Sequence, residues 1–503
     1  MPMSFADFIL QHDADDPVRL LLARDKYPDV DIDLAVTTLE VRRQLRTRVP
    51  EWYAVPSLVY PFRLSGEQCS SSETAKYKAL LALGLRREGI PPETVATRPL
   101  PPQAAGPSKG EQPGPPKISR FLGWLGRGWP QVSGGIPSRL SVADLTGGMG
   151  VDAWAFAQVA QEVLYNEMQV ELVRATELNF RELGMENVRF RNCRVEPGKV
   201  KEVLDGFEPD VIFLDPARRA EDGRKVFLIE ECQPDVLGLL PELFEASRYV
   251  LLKLSPMADI TMACKRLGAH VKEVHVVAAG GECKELLFLL DREWEGTPST
   301  FVVEGGAVME IPGQAGNDGG DQARNDGGGQ AVNDGLPNVI STGTSSLVIS
   351  TGASSLVIST GASSLVISTG AKRSGEIWLF EPGKALLKAG AFGLPCGRFG
   401  LTKLGQHTHL YVGEAVPEEL RPFGKVFEVL EVMPLNNRTM KEAGKRWPQA
   451  EVTARNVPMT SDLLRKKTSC ASGGDIHLFG VRADAASEAG NYLIVTKKRY
   501  GTD

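Results

Sequence analysis

The chain has 503 residues, 42% of them hydrophobic, enough for more than one buried core. Its formal net charge of -6 gives no overall pull toward nucleic acid, and no apolar run approaches the length of a membrane span. The seven cysteines, Cys69, Cys193, Cys232, Cys264, Cys283, Cys396 and Cys470, include no Cys-x-x-Cys pair, which speaks against structural zinc and against a disulfide framework. Met1-Pro-Met-Ser-Phe5 lacks the basic-then-apolar pattern of a secretory signal, so a cytoplasmic protein without a membrane or metal partner is expected.

Residues 1–95 read as a helical module. Within it, Gly66-Glu-Gln-Cys-Ser-Ser-Ser-Glu-Thr-Ala-Lys-Tyr-Lys78 begins polar, and its serines with Glu73 form a helix start that predicts a helix over 75–83. Capping accounts for the serines; lining a pocket is the alternative. Residues 96–137 are rich in Pro and Gly around Phe121-Leu-Gly-Trp-Leu125 and read as a linker.

Segment 138–295 alternates short apolar runs with helical stretches, the pattern of an α/β doubly wound sheet. A strand over 139–143 leads into Asp144-Leu-Thr-Gly-Gly-Met-Gly-Val-Asp152, and a helix begins near Trp154. A side chain at Gly147, Gly148 or Gly150 would block the approach of backbone to a bound ligand, although glycine turns also join strands to helices for structural reasons alone. The second strand, 162–166, ends at Glu167, twenty positions after Gly147, where an acid accepts hydrogen bonds from both hydroxyls of a ribose. A helix over 169–183 and a third strand over 187–191 follow, with Cys193 beside them as an adenine contact or a buried thiol. The fourth strand, 210–214, delivers Asp215-Pro216-Ala-Arg218 at its carboxyl end, where open parallel sheets bind ligands. Asp215 is a catalytic candidate, with helix capping through Pro216 as the alternative. Strands at 249–254, carrying Lys253, at 274–277 and at 286–290 complete the series.

Residues 296–376 are expected to be a disordered insertion. They hold Asn-Asp-Gly-Gly-like units and then Ser-Leu-Val-Ile-Ser-Thr-Gly from Ser346, Ser355 and Ser364, with a nine-residue period. Three such turns are few for a stacked solenoid, and each apolar triplet is a β-aggregation hazard. In 377–434, His407 and His409 alternate on a segment read as extended, facing one way with no third metal ligand. Residues 435–503 are basic, with Arg438, Lys441, Lys445, Arg446, Arg455, Arg465, Lys466, Lys467, Arg482, Lys497, Lys498 and Arg499. Such a surface neutralises phosphates or is simply a solvated face.

In their order these motifs resemble bacterial class I S-adenosylmethionine-dependent methyltransferases with a ferredoxin-like module and a carboxyl-terminal THUMP-like domain. Asp144, Thr146, Gly147, Gly148, Gly150 and Asp152 fall on that family's first motif, Glu167 on its ribose acid, and Asp215-Pro-Ala-Arg218 on the acidic-Pro-Pro-aromatic motif. Glu381-Pro382, Lys388-Ala-Gly-Ala-Phe392 and His407-Thr-His-Leu-Tyr411 resemble the ferredoxin-like module. Ala454-Arg-Asn-Val-Pro-Met459, Leu463-Leu-Arg-Lys-Lys467, Gly473-Gly-Asp-Ile-His-Leu-Phe479 and Leu493-Ile-Val-Thr-Lys497 resemble the THUMP-like domain. The resemblance implies a Rossmann-like methyltransferase sheet followed by two α+β domains. It further implies S-adenosyl-L-methionine as cofactor, held also at Cys193 and Asp215. Structured RNA (tRNA or rRNA) is the implied partner, touched by Arg455, Arg465, Lys466 and Lys467.

Two departures bear on the acceptor. Arg218 replaces the aromatic on which a flipped base would stack, and Leu254-Ser255-Pro256 offers no cysteine for carbon methylation. Asp215, Lys253 and either Glu282 or Glu285, with Lys76 or Lys78, resemble the Lys-Asp-Lys-Glu set of ribose 2′-O-methyltransferases. In that reading a lysine whose pKa is lowered by desolvation orients or deprotonates the hydroxyl. Base nitrogen and ribose oxygen both stay open, as do a protein or small-molecule acceptor and a non-catalytic RNA-binding protein.

Overall fold

The computed structural model describes residues 3–88, 139–218, 228–311, 346–350, 355–360, 363–368, 377–483 and 490–500; the linker expected at 96–137 lies outside them. The chain forms two compact units, the first of residues 1–279, 284–301 and 308–316, the second of 280–283, 302–307 and 317–503.

The first unit opens with helices α1 (Phe5–Gln11), α2 (Pro17–Leu22), α3 (Ile32–Arg48), α4 (Pro50–Tyr53), α5 (Arg63–Gln68) and α6 (Ser72–Glu88). Ser4, Asp16 and Asp31 start α1, α2 and α3 by accepting hydrogen bonds from backbone N–H groups of the first turn. Phe8, Ile9, Leu20, Ile32, Ala35, Val36 and Leu39 form their common core. Helix α6 outruns the expected 75–83 at both ends, because Ser71 Oγ accepts from the Thr74 N–H at 3.2 Å and its apolar face continues to Leu85.

The main sheet follows. Its strands are β1 (Ser141–Asp144), β2 (Glu162–Asn166), β3 (Val188–Arg191) and β4 (Val211–Leu214), then, beyond a short ribbon of β5 (Ala217–Arg218) and β6 (Cys232–Gln233), β7 (Tyr249–Leu254), β8 (Val271–Ala279) and β9 (Glu282–Asp291). Five connecting helices accompany them: α7 (Val151–Ala157), α8 (Val170–Glu182), α9 (Val200–Leu204), α10 (Val236–Ala246) and α11 (Ile260–Leu267). Every residue of β4 is buried, as expected of a strand covered on both faces. The strands pair in parallel as β3-β2-β1-β4-β7, and β9 joins β7 antiparallel. The winding reverses between β1 and β4, which opens a crevice at their carboxyl ends.

Two further strands, β10 (Ser299–Glu304) and β11 (Ala307–Ile311), extend this sheet beyond β8. The insertion therefore does not begin at 296: Phe301, Val302, Val303, Met309 and Ile311 are buried, and the short apolar run had been overshadowed by the glycine-rich tract after it. Within the repeats, β12 (Ser346–Ser350), β13 (Ser355–Thr360) and β14 (Ser363–Ser368) pair antiparallel, with Val348 opposite Val357 and Val357 opposite Val366.

The second unit carries a seven-stranded sheet of β15 (Trp378–Pro382), β16 (Thr402–Lys403), β17 (Tyr411–Gly413), β18 (Gly424–Pro434), β19 (Glu451–Arg455), β20 (Ile476–Ala483) and β21 (Gly490–Tyr500), in the order β16-β17-β15-β18-β21-β20-β19. Among its helices, α12 (Lys384–Lys388) and α13 (Leu394–Gly397) are short, while α14 (Asn437–Arg446) and α15 (Ser461–Thr468) follow β18 and β19. Asn436 and Thr439 form a capping box on α14, and Gly444 lies so close to α15 that a Cβ there would sit 1.6 Å from the Thr468 carbonyl oxygen. His407 and His409 do not share an extended segment as expected. Residues 406–408 turn, and His409 takes a φ of 47° with its ring 4.2 Å from that of Phe392. Among the described residues no helix is long and apolar enough to cross a membrane, and no cluster of His, Cys, Asp or Glu could hold a metal.

Candidate functional site

The cleft of the first unit is built on the turn between β1 and α7. The N–H of Leu145 donates to Phe213 O on β4 at 3.1 Å, and that of Gly147 to Asn166 O on β2 at 2.8 Å, so both neighbouring strands hold the turn. Two of the three glycines answer to packing rather than to a ligand. A Cβ at Gly147 would lie 2.2 Å from the Tyr165 ring, and one at Gly150, where φ is 91°, would lie 2.6 Å from Thr176 Cγ2. Gly148, where φ is 53°, is the least crowded of the three, a Cβ there meeting only the Thr146 carbonyl oxygen at 3.9 Å, and Tyr165 Oη fastens the turn by donating to the Gly148 carbonyl at 2.5 Å.

Glu167 directly follows β2 at the rim of this turn. Its Oε2 accepts from the Gly148 N–H at 3.0 Å and its Oε1 from the Gln169 N–H at 2.9 Å, which fixes the carboxylate while leaving lone pairs for further donors. Cys193 is held beside it through backbone bonds in both directions with the Asn166 amide, each of 3.0 Å. Asp144 is buried. Desolvation, then the nearby Asp152 carboxylate, pushes its pKa well above the carboxylate range; Oδ1 accepts from the Thr146 N–H, while Oδ2 has no partner among the described residues.

Across the turn, the Asp215 N–H donates to Thr146 Oγ1 at 2.6 Å, and the Asp215 carboxylate pairs with Lys253 Nζ. The side chain of Arg218 lies outside what is described, though its backbone pairs with Cys232. The expectation that desolvation lowers the Lys253 pKa is overturned. Burial works in that direction, but the Asp215, Glu285 and Asp152 carboxylates outweigh it and raise the pKa, so Lys253 is a fixed cation without a lone pair to take up a proton.

Of the alternatives left open by sequence, the structure brings in Lys78 and Glu285. Lys78 is fully buried, with Nζ 2.9 Å from Glu285 Oε2, 3.0 Å from Asp152 Oδ1 and 2.8 Å from Ser70 Oγ, and Ser70 in turn donates to Asp152 Oδ2 at 2.8 Å. Lys76 instead pairs with Glu51, and Glu282 is exposed at the start of β9. Ser65, Gln68, Cys69 and Ser70 line the cleft together with the glycine turn, Glu167, Cys193 and Asp215, so the polar string before α6 is a wall of the site. Sequence reasoning missed Met168, Leu172, Val195 and the Gln233-Pro234 segment, which also line it. Met168, Leu172 and Val195 are apolar residues that give only a generic core signal in sequence.

The basic residues singled out in the second unit divide in two. Arg455 is engaged by Glu381 at 2.6 Å and Arg465 by Glu451 at 3.0 Å, whereas Lys466 and Lys467 are exposed on α15. Arg438, Lys441 and Lys445 are exposed on α14, which packs against α15.

Comparison with known proteins places these elements. Residues 378–420 match a ferredoxin-like domain and residues 424–498 a THUMP domain-like fold, with β18 inside the second match. The crystal structure of a supposed methyltransferase from Porphyromonas gingivalis W83 superposes on 99% of this chain and 98% of its own, with a TM-score of 0.64 and 27% sequence identity. An uncharacterized RNA methyltransferase of Enterococcus faecalis V583 is 34% identical over 94 residues, 19% of this chain. The match spans about a fifth of that relative's length, 21%. The chain thus has a methyltransferase fold with ferredoxin-like and THUMP-like domains after it.

Proposed function

We propose that this chain is an S-adenosylmethionine-dependent methyltransferase that modifies structured RNA, either tRNA or rRNA. The observation that carries the reading is the convergence, in one cleft, of a strand-anchored glycine turn, a carboxylate fixed twenty residues on at Glu167, and Asp215 on the next strand. The residues present fit the cofactor. Glu167 retains acceptor capacity for two ribose hydroxyls, Gly148 lines the cleft without a side chain, and Met168, Leu172 and Val195 give an apolar side for a flat base. Asp144, Thr146 and Asp152 would hold the amino-acid end. Bound there, S-adenosylmethionine supplies an electrophilic methyl group on a sulfonium.

The chain's own residues then position the acceptor. Asp215, steadied by Lys253 and by its N–H bond to Thr146, accepts a hydrogen bond from an acceptor N–H and takes the proton at a carboxylate oxygen. That favours a base nitrogen, whose lone pair needs little activation. A second reading, the ribose 2′-hydroxyl, draws support from the Asp215–Lys253 pair, with Lys253 acting as a charge rather than as a base; Lys78 and Glu285 are buried and do not line the cleft. The exposed lysines of α14 and α15 suit phosphate contacts.

Incubation with methyl-labelled cofactor and total RNA, followed by digestion to nucleosides, tests the proposal. Label in a base-methylated nucleoside is the expected result. Label in 2′-O-methyl nucleosides selects the second reading; transfer only to protein or small molecules, or none at all, refutes both.

A further inference from the structure

Lys78 has no path to a substrate, because its side chain is fully buried. Its three partners come from three different parts of the first unit: Ser70 from the segment ahead of α6, Asp152 from the first turn of α7, and Glu285 from β9. Ser70 and Asp152 line the cleft, and Ser70 Oγ relays the lysine to Asp152 by accepting from Nζ and donating to Oδ2. The segment that Ser70 ends is held from behind as well, since Arg48 Nη1 donates to the carbonyls of Gly66 and Glu67 at 2.7 Å each.

We infer that Lys78 is the positioning residue of the cofactor cleft, a buried cation that pins the helical module's wall at Ser70 to the glycine-turn floor at Asp152 and anchors both to the sheet at Glu285. The inference rests on the reading of this cleft as the cofactor site. Its consequence is that the helical module is part of the cofactor site rather than an appendage to it. A buried ammonium facing two carboxylates leaves those charges uncompensated when it is removed, so stability and ligand affinity both fall in a single variant and must be separated.

The separation uses S-adenosylhomocysteine as the calorimetric probe and thermal unfolding as the control on the full chain. Lys78→Met should weaken binding at least tenfold and lower the melting temperature. Lys78→Met with Glu285→Met removes the lysine and one of its two carboxylates; its melting temperature should recover part of the loss while affinity stays at least fivefold below the parent. Ser70→Ala, which breaks the relay but leaves the Lys78–Glu285 and Lys78–Asp152 pairs, should cost a few-fold in affinity with a smaller fall in melting temperature than Lys78→Met. Affinity that recovers together with stability in the double variant, or parent-like affinity in Ser70→Ala, overturns the inference and leaves Lys78 a structural ion-pair member. If the double variant does not fold, Ser70→Ala alone decides. A parent protein that fails to bind the probe would instead remove the cofactor reading itself.

Discussion

Substituting Glu167 probes the cofactor site where its geometry is most explicit. In Glu167→Ala the two ribose hydroxyls lose a charged acceptor. Hydrogen bonds to charged groups contribute about 1.5–3 kcal/mol each, and with water partly replacing the pair the expected net loss is about 2–3 kcal/mol. That corresponds to a dissociation constant raised about 30- to 140-fold. The carboxylate also serves the N–H groups of Gly148 and Gln169, but Gln169 is exposed and Gly148 half-buried, so solvent can take over both. The unliganded protein should therefore lose no more than about 1 kcal/mol of stability. Glu167→Gln, which keeps one oxygen acceptor, should fall between parent and alanine variant. Titration calorimetry with S-adenosylhomocysteine reads the affinities, and denaturant unfolding without ligand reads the stability. A folded Glu167→Ala protein that binds within twofold of the parent would refute the assignment of Glu167 to a ribose.

Four further outcomes are expected. Lys253→Met keeps the aliphatic stem; with a base nitrogen as acceptor, turnover should drop less than about tenfold while Asp215→Ala loses at least about a hundredfold, and the opposite ranking in single-turnover kinetics would move the acceptor to ribose. Asp144 carries a raised folded pKa, so its contribution to stability is present at low pH and is lost as pH rises through that value. Asp144→Asn mimics the neutral acid and should flatten the stability-against-pH curve on its alkaline side, and an unchanged curve would count against the assignment. Replacing Lys466 and Lys467 by Ala should weaken RNA binding and reduce the log-log salt slope by about one to two, while Arg455→Ala and Arg465→Ala should act chiefly on stability through Glu381 and Glu451; equal salt slopes in filter binding would take RNA off this face. Deleting residues 314–374, which spares β11, should leave folding and cofactor affinity intact, and a loss of the cooperative melt would show that the repeats contribute to the core.

The doubly wound sheet was legible because its central strands are buried on both faces and so read as short apolar runs between helical stretches; β7 falls on the expected 249–254. The glycine turn and Glu167 were legible as spacing, but the reason for Gly147 and Gly150 was not, since only the folded chain brings Tyr165 and Thr176 against them. The pKa of Lys253 was misread because it depends on carboxylates from distant parts of the sequence, which no local pattern reports. Arg455 and Arg465 look like phosphate ligands in a linear charge count, and their acidic partners lie 74 and 14 residues away. The paired histidines failed for a backbone reason, a left-handed residue at His409 that alternation cannot foresee.

The glycine turn is hydrogen-bonded to β2 on one side and β4 on the other, and its outer carbonyl is closed by a buried phenol. The amides of Leu145 and Gly147 should consequently exchange with deuterated solvent only through openings that break the central strands, not through local fraying. A ligand then meets a floor whose shape the two flanking strands already hold. Association should be a single exponential whose rate rises linearly with ligand concentration and never reaches a plateau, because no slow rearrangement of the floor precedes or follows capture.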